Sequence, residues 1–500
     1  MKTKALTHTH KLTWGLIGLA LFSYGLLSFN AGSKVSPALT PLENPAEVVT
    51  YINQQAESGV DMSNSDAVQV LPSWLNLMAK VSSSDYAYGD DGILKTEHYY
   101  FSMGDTKRYV LSAHMMLGMV IMVTGFFQFF PAFRRKHRRA HRVLGAIYIA
   151  AAIGSMSMST YYLINTPVAD TFNEFVFHYG LWFVLLLSMI SIGFATVAIF
   201  KRNVAVHLGW QALAFGCFLT APIQRYIWVA LAPLGGDRTF NEMNILINIT
   251  LFAVCFFCSY LLFYVNRESS PARPAKASEQ VGSNTIGQYL LAGGLGFAWL
   301  LTLWFYVVSP GLAGSDFTQH LSNPSIASHH DQIFATFLPV VFVALLAVFF
   351  FACYQIMSRA HGKLGHFRSA QISGTGIAIL LIYWGVTLGM PDHTVSLAGT
   401  FYAAVGAFML AFLTWMSLSF RQANLDHARE LMWFLIMLAV APAAMYLNMF
   451  NFDSIGFVPE PYATSGHGYQ YAAAAALANA MIIGHLAAVY SKHTKQYAVN

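Results

Sequence analysis

The sequence predicts an all-α polytopic membrane protein of twelve transmembrane helices, built as two parallel-oriented six-helix repeats, each with a four-helix core. Composition is the first observation: 56% of the 500 residues are hydrophobic, 15% aromatic and only 10% charged, where a soluble chain has about a quarter charged. Length is the second. A bilayer core takes about 20 apolar residues at 1.5 Å each, and twelve segments suffice: 12–31, 109–131, 142–164, 174–200, 206–231, 241–265, 287–308, 331–356, 366–389, 394–420, 428–449 and 469–490. The third observation is an internal repeat.

Taken in order, the first segment has a basic start and an apolar run like a signal peptide. The "SFNAGS" that follows places bulky Phe29 near any cut, and a matching single span, 287–308, opens the second half, so the segment is read as a helix. Residues 32–108 form an acidic loop with ten carboxylates against five lysines and arginines; a net charge of that sign suits docking of a basic redox protein. Five spans follow, closing a first unit over 1–266. A Ser/Pro/Ala-rich linker, 267–286, leads to the second unit, 287–500.

Basic residues gather in the N-terminal "MKTKALTHTHK", in 132–142, 201–202, 266–280 and 357–368, and in the C-terminal "SKHTK". With twelve spans these all fall on one side. The positive-inside tendency makes that side cytoplasmic, and both termini with it. No nucleic-acid partner is expected beside the lipid bilayer.

The repeat has an offset of 220. "RAHRVLG" at 139–145 meets "RAHGKLG" at 359–365, Phe200 meets Phe420, His207 meets His427, Ala221-Pro222 meets Ala441-Pro442, and Tyr226 meets Tyr446. Six spans being an even number, the two units are expected to share one orientation.

Four successive helices of the first unit each carry a histidine near their start: His114, His141, His178 and His207. Alternating helix direction sorts them into His114 with His178 towards the outer surface, and His141 with His207 towards the cytoplasm. Helices one and three of a four-helix bundle are diagonal partners, as are two and four. Two neutral imidazoles aimed across an apolar core can supply both axial ligands of a haem iron. Near the cytoplasm the pair is repeated as His361 and His427.

His114, His141 and His361 each begin an H-x-x-L-G pattern, placing Gly118, Gly145 and Gly365 one turn on and on the same face. A missing side chain there would make room for a flat macrocycle; it equally permits close helix packing. Arg225 is an ionised residue within an apolar span, where such residues usually have a partner and a role. It lies 18 residues beyond His207, ~27 Å along a straight helix, near the outer pair, where a haem propionate is a natural partner. Arg139 and its basic neighbours in 134–142 could hold propionates or an anionic reductant, or simply enforce topology. Cys217, Cys255, Cys258 and Cys353 all fall within spans; they imply no disulfide framework and no zinc pattern, and no CxxCH motif for covalent haem occurs.

A six-helix unit with one histidine on each of helices two to five resembles the cytochrome b561 superfamily, whose members carry two b haems across a membrane. The signatures "HMMLG" and "HRVLGAIY" look like the prokaryotic membrane family known as domain of unknown function 2306, most clearly over 109 to about 230, with a weaker match over about 330–450. The resemblance implies haem b, three per chain with four or two as alternatives, in a bacterial inner membrane. If the protein is an enzyme, the resemblance implies a transmembrane oxidoreductase; donor and acceptor stay unassigned.

The second unit departs from the pattern, since Phe334, Ala398 and Met445 replace His114, His178 and Arg225 at the offset. His329 or His330, with His393, offers a displaced outer pair. Two rival readings remain. Two parallel six-helix repeats are also the plan of a secondary transporter, for which Pro222, Pro339 and Pro442 would mark broken helices. The outer histidines His98, His320, His329 and His330 would instead suit a copper- or zinc-binding membrane protein.

Overall fold

A computed structural model describes residues 2–40, 103–171, 174–234, 240–268, 285–312, 333–358, 364–388 and 396–490, with scattered residues between 47 and 92. Among the described residues every regular element is helical: α1 (Lys2–Val35), α2 (Asp105–Phe129), α3 (Pro131–Lys136), α4 (Arg138–Ile164), α5 (Glu174–Phe200), α6 (Val204–Phe218), α7 (Thr220–Leu231), α8 (Phe240–Glu268), α9 (Thr285–Leu303), α10 (Leu338–Ser358), α11 (Leu364–Thr387), α12 (Ser396–Arg421), α13 (Leu425–Ser454), α14 (Glu460–Thr464) and α15 (His467–Tyr490). Eleven of the described helices are long and apolar enough to cross a membrane, or twelve if the bent pair α6 and α7 is one span. Most of the acidic loop, linker residues 269–284, and His98, His320, His329, His330, His361 and His393 lie outside the described residues.

The span expected over 331–356 is helical as α10 only from Leu338, after a turn at 335–337, and the span expected over 206–231 is broken. Pro222 has no N–H, and its ring would clash with the carbonyl four residues back in a continuous helix. The helix stops at Phe218, restarts at Thr220 and turns by 50°, so the straight-helix rise from His207 to Arg225 does not apply. The freed groups find local partners: Leu219 N–H donates to Phe215 O (3.0 Å) and Gly216 O (3.1 Å), and Thr220 Oγ1 donates to Cys217 O. Pro442, its equivalent at the 220 offset, sits inside α13.

The described chain divides into two compact units, 1–197 with 210–247 and 258–271, and 198–209 with 248–257 and 272–500. Within the second unit Gly209 accepts a hydrogen bond from His485 (2.9 Å) and Phe257 packs against Phe408 and Phe412.

In the first unit α1 packs along α2, and α2 along α4. Gly18, Gly25 and Gly32 recur every seven residues on α1, and a Cβ at each would meet Phe126, Met119 and Met116 respectively at 3.0–3.6 Å. A heptad of small residues keeps one stripe facing a partner helix at close range. Two hydroxyl bonds reinforce it: Ser28 Oγ donates to Met115 O (2.7 Å) and Ser112 Oγ to Gly32 O (2.7 Å).

The second unit packs as a succession, α10 on α11, α11 on α12, α12 on α13, and α13 on α15. Backbones approach closely where side chains vanish: a Cβ on Gly406 would stand 2.6 Å from Ala378 O, and one on Gly385 2.6 Å from Ala403 N. The ends of α5 and α12 share one local design. Asn203 N donates to Ala198 O and Arg202 N to Ile199 O; likewise Asn424 N donates to Ser419 O and Ala423 N to Phe420 O. These are Schellman closures, in which the penultimate residue takes a left-handed conformation; Arg202 has φ 55° and Ala423 φ 57°. In both, the asparagine that follows caps the next helix, accepting from Val206 N (3.3 Å) and His427 N (3.2 Å).

Candidate functional site

His114 lies nine residues into α2, and His178 four residues into α5. Both sit at the end of the first unit where α4 finishes, because His114 touches the last turns of α4 and α5 begins directly after it. The His114 Nδ1 atom is 3.2 Å from Ser155 O, 2.9 Å from Ser155 Oγ and 3.0 Å from Ser159 Oγ. A carbonyl oxygen can only accept, so this contact puts the ring proton on Nδ1 and the lone pair on Nε2.

Buried His178 makes the same choice through a hydroxyl. Its Nδ1 is 3.0 Å from Thr171 Oγ1, whose own proton goes to Pro167 O (3.2 Å). The threonine oxygen is then the acceptor and Nδ1–H the donor. In the second unit buried His427 repeats the device: Nδ1 is 2.7 Å from Ser419 Oγ, which donates to Trp415 O (3.0 Å). The Trp415 ring stands edge-on at 5.0 Å. Three candidate histidines from three helices therefore share a tautomer that leaves Nε2 as the basic nitrogen.

His141 and His207 are half-buried in the first turns of α4 and α6. The His141 carbonyl accepts from Gln128 Nε2 (3.2 Å). His141 belongs to the first unit and His207 to the second.

The glycines have packing roles here. A Cβ on Gly118 would meet Ser28 Oγ of α1 at 3.0 Å, and one on Gly145 would meet Gln128 Oε1 of α2 at 3.0 Å. The room that these glycines make is taken by polar side chains of neighbouring helices. Gly365 meets nothing within 4 Å among the described residues.

Arg225, on α7, donates through Nη1 to Ala221 O (3.3 Å) and to Gln224 Oε1 (3.2 Å). Its guanidinium lies 5.6 Å from the Trp228 ring centroid and within electrostatic range of both His114 and Tyr24. Trp228 in turn donates from Nε1 to buried Asn244 Oδ1 (3.0 Å). Arg139 is exposed, as are Arg135, Lys136, Arg138 and Arg142 around it, whereas Arg134 reaches Asn266 Oδ1 (3.5 Å).

At the matching end of the second unit the polar groups give way to aromatics. Phe334 packs on Tyr306 and Tyr446, and Tyr306 and Tyr402 join hydroxyls at 2.7 Å. Ala398 is buried. No cluster of three or more His, Cys, Asp or Glu suited to a metal ion occurs among the described residues.

His485, fully buried on α15, and the buried amides Gln224 and Asn244 do not stand out in the sequence. Each is a lone polar residue in an apolar span and belongs to no repeated motif; the usable signal was only their cost in a membrane.

Residues 111–262 match the family model of a predicted membrane protein, DUF2306. The match contains His114, His141, His178, His207 and Arg225 and covers less than half of the chain. No curated protein and no solved structure matches it.

Proposed function

We propose that the protein is a b-type membrane cytochrome that carries electrons across the bilayer, with haems held between histidine pairs at two levels. The observation that carries this reading is the shared tautomer: Nδ1–H of His114, His178 and His427 is given to a carbonyl or to a backbone-tied hydroxyl. Metal-ligating histidines characteristically spend their second nitrogen this way, which fixes ring orientation and raises ligand basicity. A bound haem would supply one-electron chemistry; the chain's part is to present Nε2, exclude water and balance charge.

On this reading His114 and His178 form one pair, His141 and His207 a second, and His361 and His427 a third. The outer end of the second unit is filled by Phe334, Tyr306, Tyr402 and Tyr446 and takes no haem. The bent pair α6 and α7 counts as one span, giving twelve, and the chain is a tandem duplication of a six-helix unit. The repeated Schellman turn and asparagine cap before α6 and α13 support that duplication. Both termini then face the cytoplasm, as the basic loops require.

A reduced-minus-oxidised absorption spectrum of the detergent-purified protein, with pyridine haemochrome quantitation, tests the reading. The expected result is a sharp b-type band at about three haems per chain; a colourless protein sinks it. The 50° break between α6 and α7 favours a second reading, secondary transport, because broken helices line substrate sites in transporters. A colourless protein that catalyses counterflow in vesicles would establish it.

A further inference from the structure

Five cations gather where α3 meets α4 in the first unit: Arg135, Lys136, Arg138, Arg139 and Arg142, all of them exposed. The chain bends between the two helices at His137 (φ −123°, ψ 59°). Pro131 is buried and Phe133 packs on Phe127 of α2 at 4.9 Å, which ties α3 down and leaves its basic last turn outward. Only Arg134 of this run turns to a neighbour, Asn266 Oδ1 at 3.5 Å.

Nothing acidic answers the five. The sequence has no Asp or Glu between Asp105 and Asp170, and no ion pair among the described residues involves any of them. Arg138 and Arg139 each stand one turn from Arg142, a spacing at which like charges destabilise a helix. The helix dipole also disfavours cations in a first turn, so the stability of α4 does not account for them. Topology asks only for a number of positive charges in the loop.

Where the charges stand is more specific. Arg139 and Arg142 head a stripe, spaced by three and four residues, that continues down α4 through Val143, Ile147, Ala150 and Ile153, all exposed. Tyr148, Ala152 and Ser155 on the other side of the helix are buried. From Val143 to Ile153 the stripe is apolar and ~15 Å long, the depth of one leaflet of a ~30 Å hydrocarbon core. Cations thus lie at the level of the headgroups, directly above a surface for acyl chains.

We infer that the corner of α3 and α4 binds an anionic phospholipid, with its phosphate on Arg139 and Arg142 and its acyl chains along the exposed stripe of α4. A guanidinium fork matches phosphate oxygens in pairs, and Arg135, Lys136 and Arg138 add attraction for a headgroup of net negative charge. A zwitterionic headgroup brings an ammonium that these cations repel. A soluble anion would answer the charges and leave the stripe unused. Such a site needs no haem.

The test uses full-length protein purified in detergent and stripped of lipid, and follows its unfolding temperature against four probes: diphosphatidylglycerol, phosphatidylglycerol, phosphatidylcholine and glycerol phosphate. The main variant carries Arg139→Gln and Arg142→Gln; the control, Lys201→Gln with Arg421→Gln, removes two exposed charges elsewhere. A second pair, Arg139→Lys with Arg142→Lys, keeps the charge that insertion needs and removes the forks, so a main variant that fails to insert does not end the test.

The two anionic lipids are expected to stabilise the wild type saturably, and phosphatidylcholine and glycerol phosphate to have no such effect. Half-saturation should rise about tenfold or more in the main variant, rise by less in the lysine pair, and stay unchanged in the control. Equal responses to anionic lipid and phosphatidylcholine overturn the inference. Stabilisation by glycerol phosphate as good as by lipid makes the corner a soluble-anion site and overturns it too. So does a control variant that weakens binding as much as the main one, or a lysine pair that binds as the wild type while the main variant fails to insert.

Discussion

His114 Nδ1 stands 2.9 Å from Ser155 Oγ and 3.2 Å from Ser155 O, so one residue of α4 addresses the imidazole through both backbone and side chain. The carbonyl bond survives any substitution at 155, but the hydroxyl bond does not. Ser155→Ala combined with Ser159→Ala is expected to keep the tautomer while loosening the ring. Losing such outer contacts typically costs 10- to 100-fold in metal affinity, roughly, without removing the ligand. Haem retained per chain, measured through detergent dilution, should fall by about one in the double variant; His114→Ala should remove the same haem outright. Full retention in both would show that His114 is no ligand.

His427 allows a cleaner version of the same argument, because Ser419 is its hydroxyl partner at 2.7 Å and has its own proton committed to Trp415 O. Ser419→Ala leaves Nδ1–H of a buried ring to seek another acceptor. The expected outcome is a loss of about 1–3 kcal/mol in stability, with a shifted midpoint potential for one haem only. Thr171→Val beside His178 should shift a different one. Redox titration of the two variants separates the assignments, and identical titrations would contradict them.

His485 is the control. Its Nε2, not Nδ1, faces a carbonyl, that of Gly209 at 2.9 Å. A carbonyl accepts only, so the proton is on Nε2, the reverse of the tautomer found at His114, His178 and His427. The residue is therefore a structural cross-link between α15 and the start of α6. His485→Leu is expected to lower stability by about 1 kcal/mol, the low end for a buried bond because the carbonyl left behind sits in a helix and keeps its backbone partner. Haem content should not change; a lost haem would make His485 a ligand after all.

Gly406 tests the packing of the second unit. A Cβ there would lie 2.6 Å from Ala378 O and 2.7 Å from the Ile382 side chain. Backbone oxygen cannot rotate away, so α11 and α12 must part. Gly406→Ala should cost about 1–3 kcal/mol, read as a lower unfolding temperature in detergent. Gly293→Ala, with nothing within 4 Å of its Cβ, should cost nothing and add helix propensity.

The spans were legible because membrane insertion is decided by runs of side chains, and a run survives any detail of packing. The helix expected over 174–200 is found as α5 over Glu174–Phe200. Proline marked the break near Pro222 but did not distinguish it from Pro442, which sits inside a continuous α13; neighbours such as Thr220, which binds the Cys217 carbonyl, decide the outcome. Histidines 114 and 178 stood out by recurrence at helix starts, but their tautomers depend on Ser155 and Thr171, which carry no signature of their own. Gly118 and Gly145 stood out through a motif that suits a macrocycle and close helix packing alike, and the neighbours they meet, Ser28 and Gln128, carry no signature of their own.

Ala423 carries a strain that can be relieved without touching any candidate site. It closes the Schellman turn after α12 at φ 57°, a conformation that costs an L residue with a Cβ about 1–2 kcal/mol and glycine little. Glycine also gains entropy in the unfolded chain, which returns roughly 0.4–1 kcal/mol of that advantage. Ala423→Gly should therefore raise stability by up to about 1 kcal/mol, seen as a higher unfolding temperature, and Arg202→Gly should act likewise at φ 55° before α6. Since Asn424 caps the helix that bears His427, a firmer turn should leave that histidine in place and the spectrum unchanged. A destabilised Ala423→Gly variant would mean that the methyl group packs for more than its strain costs.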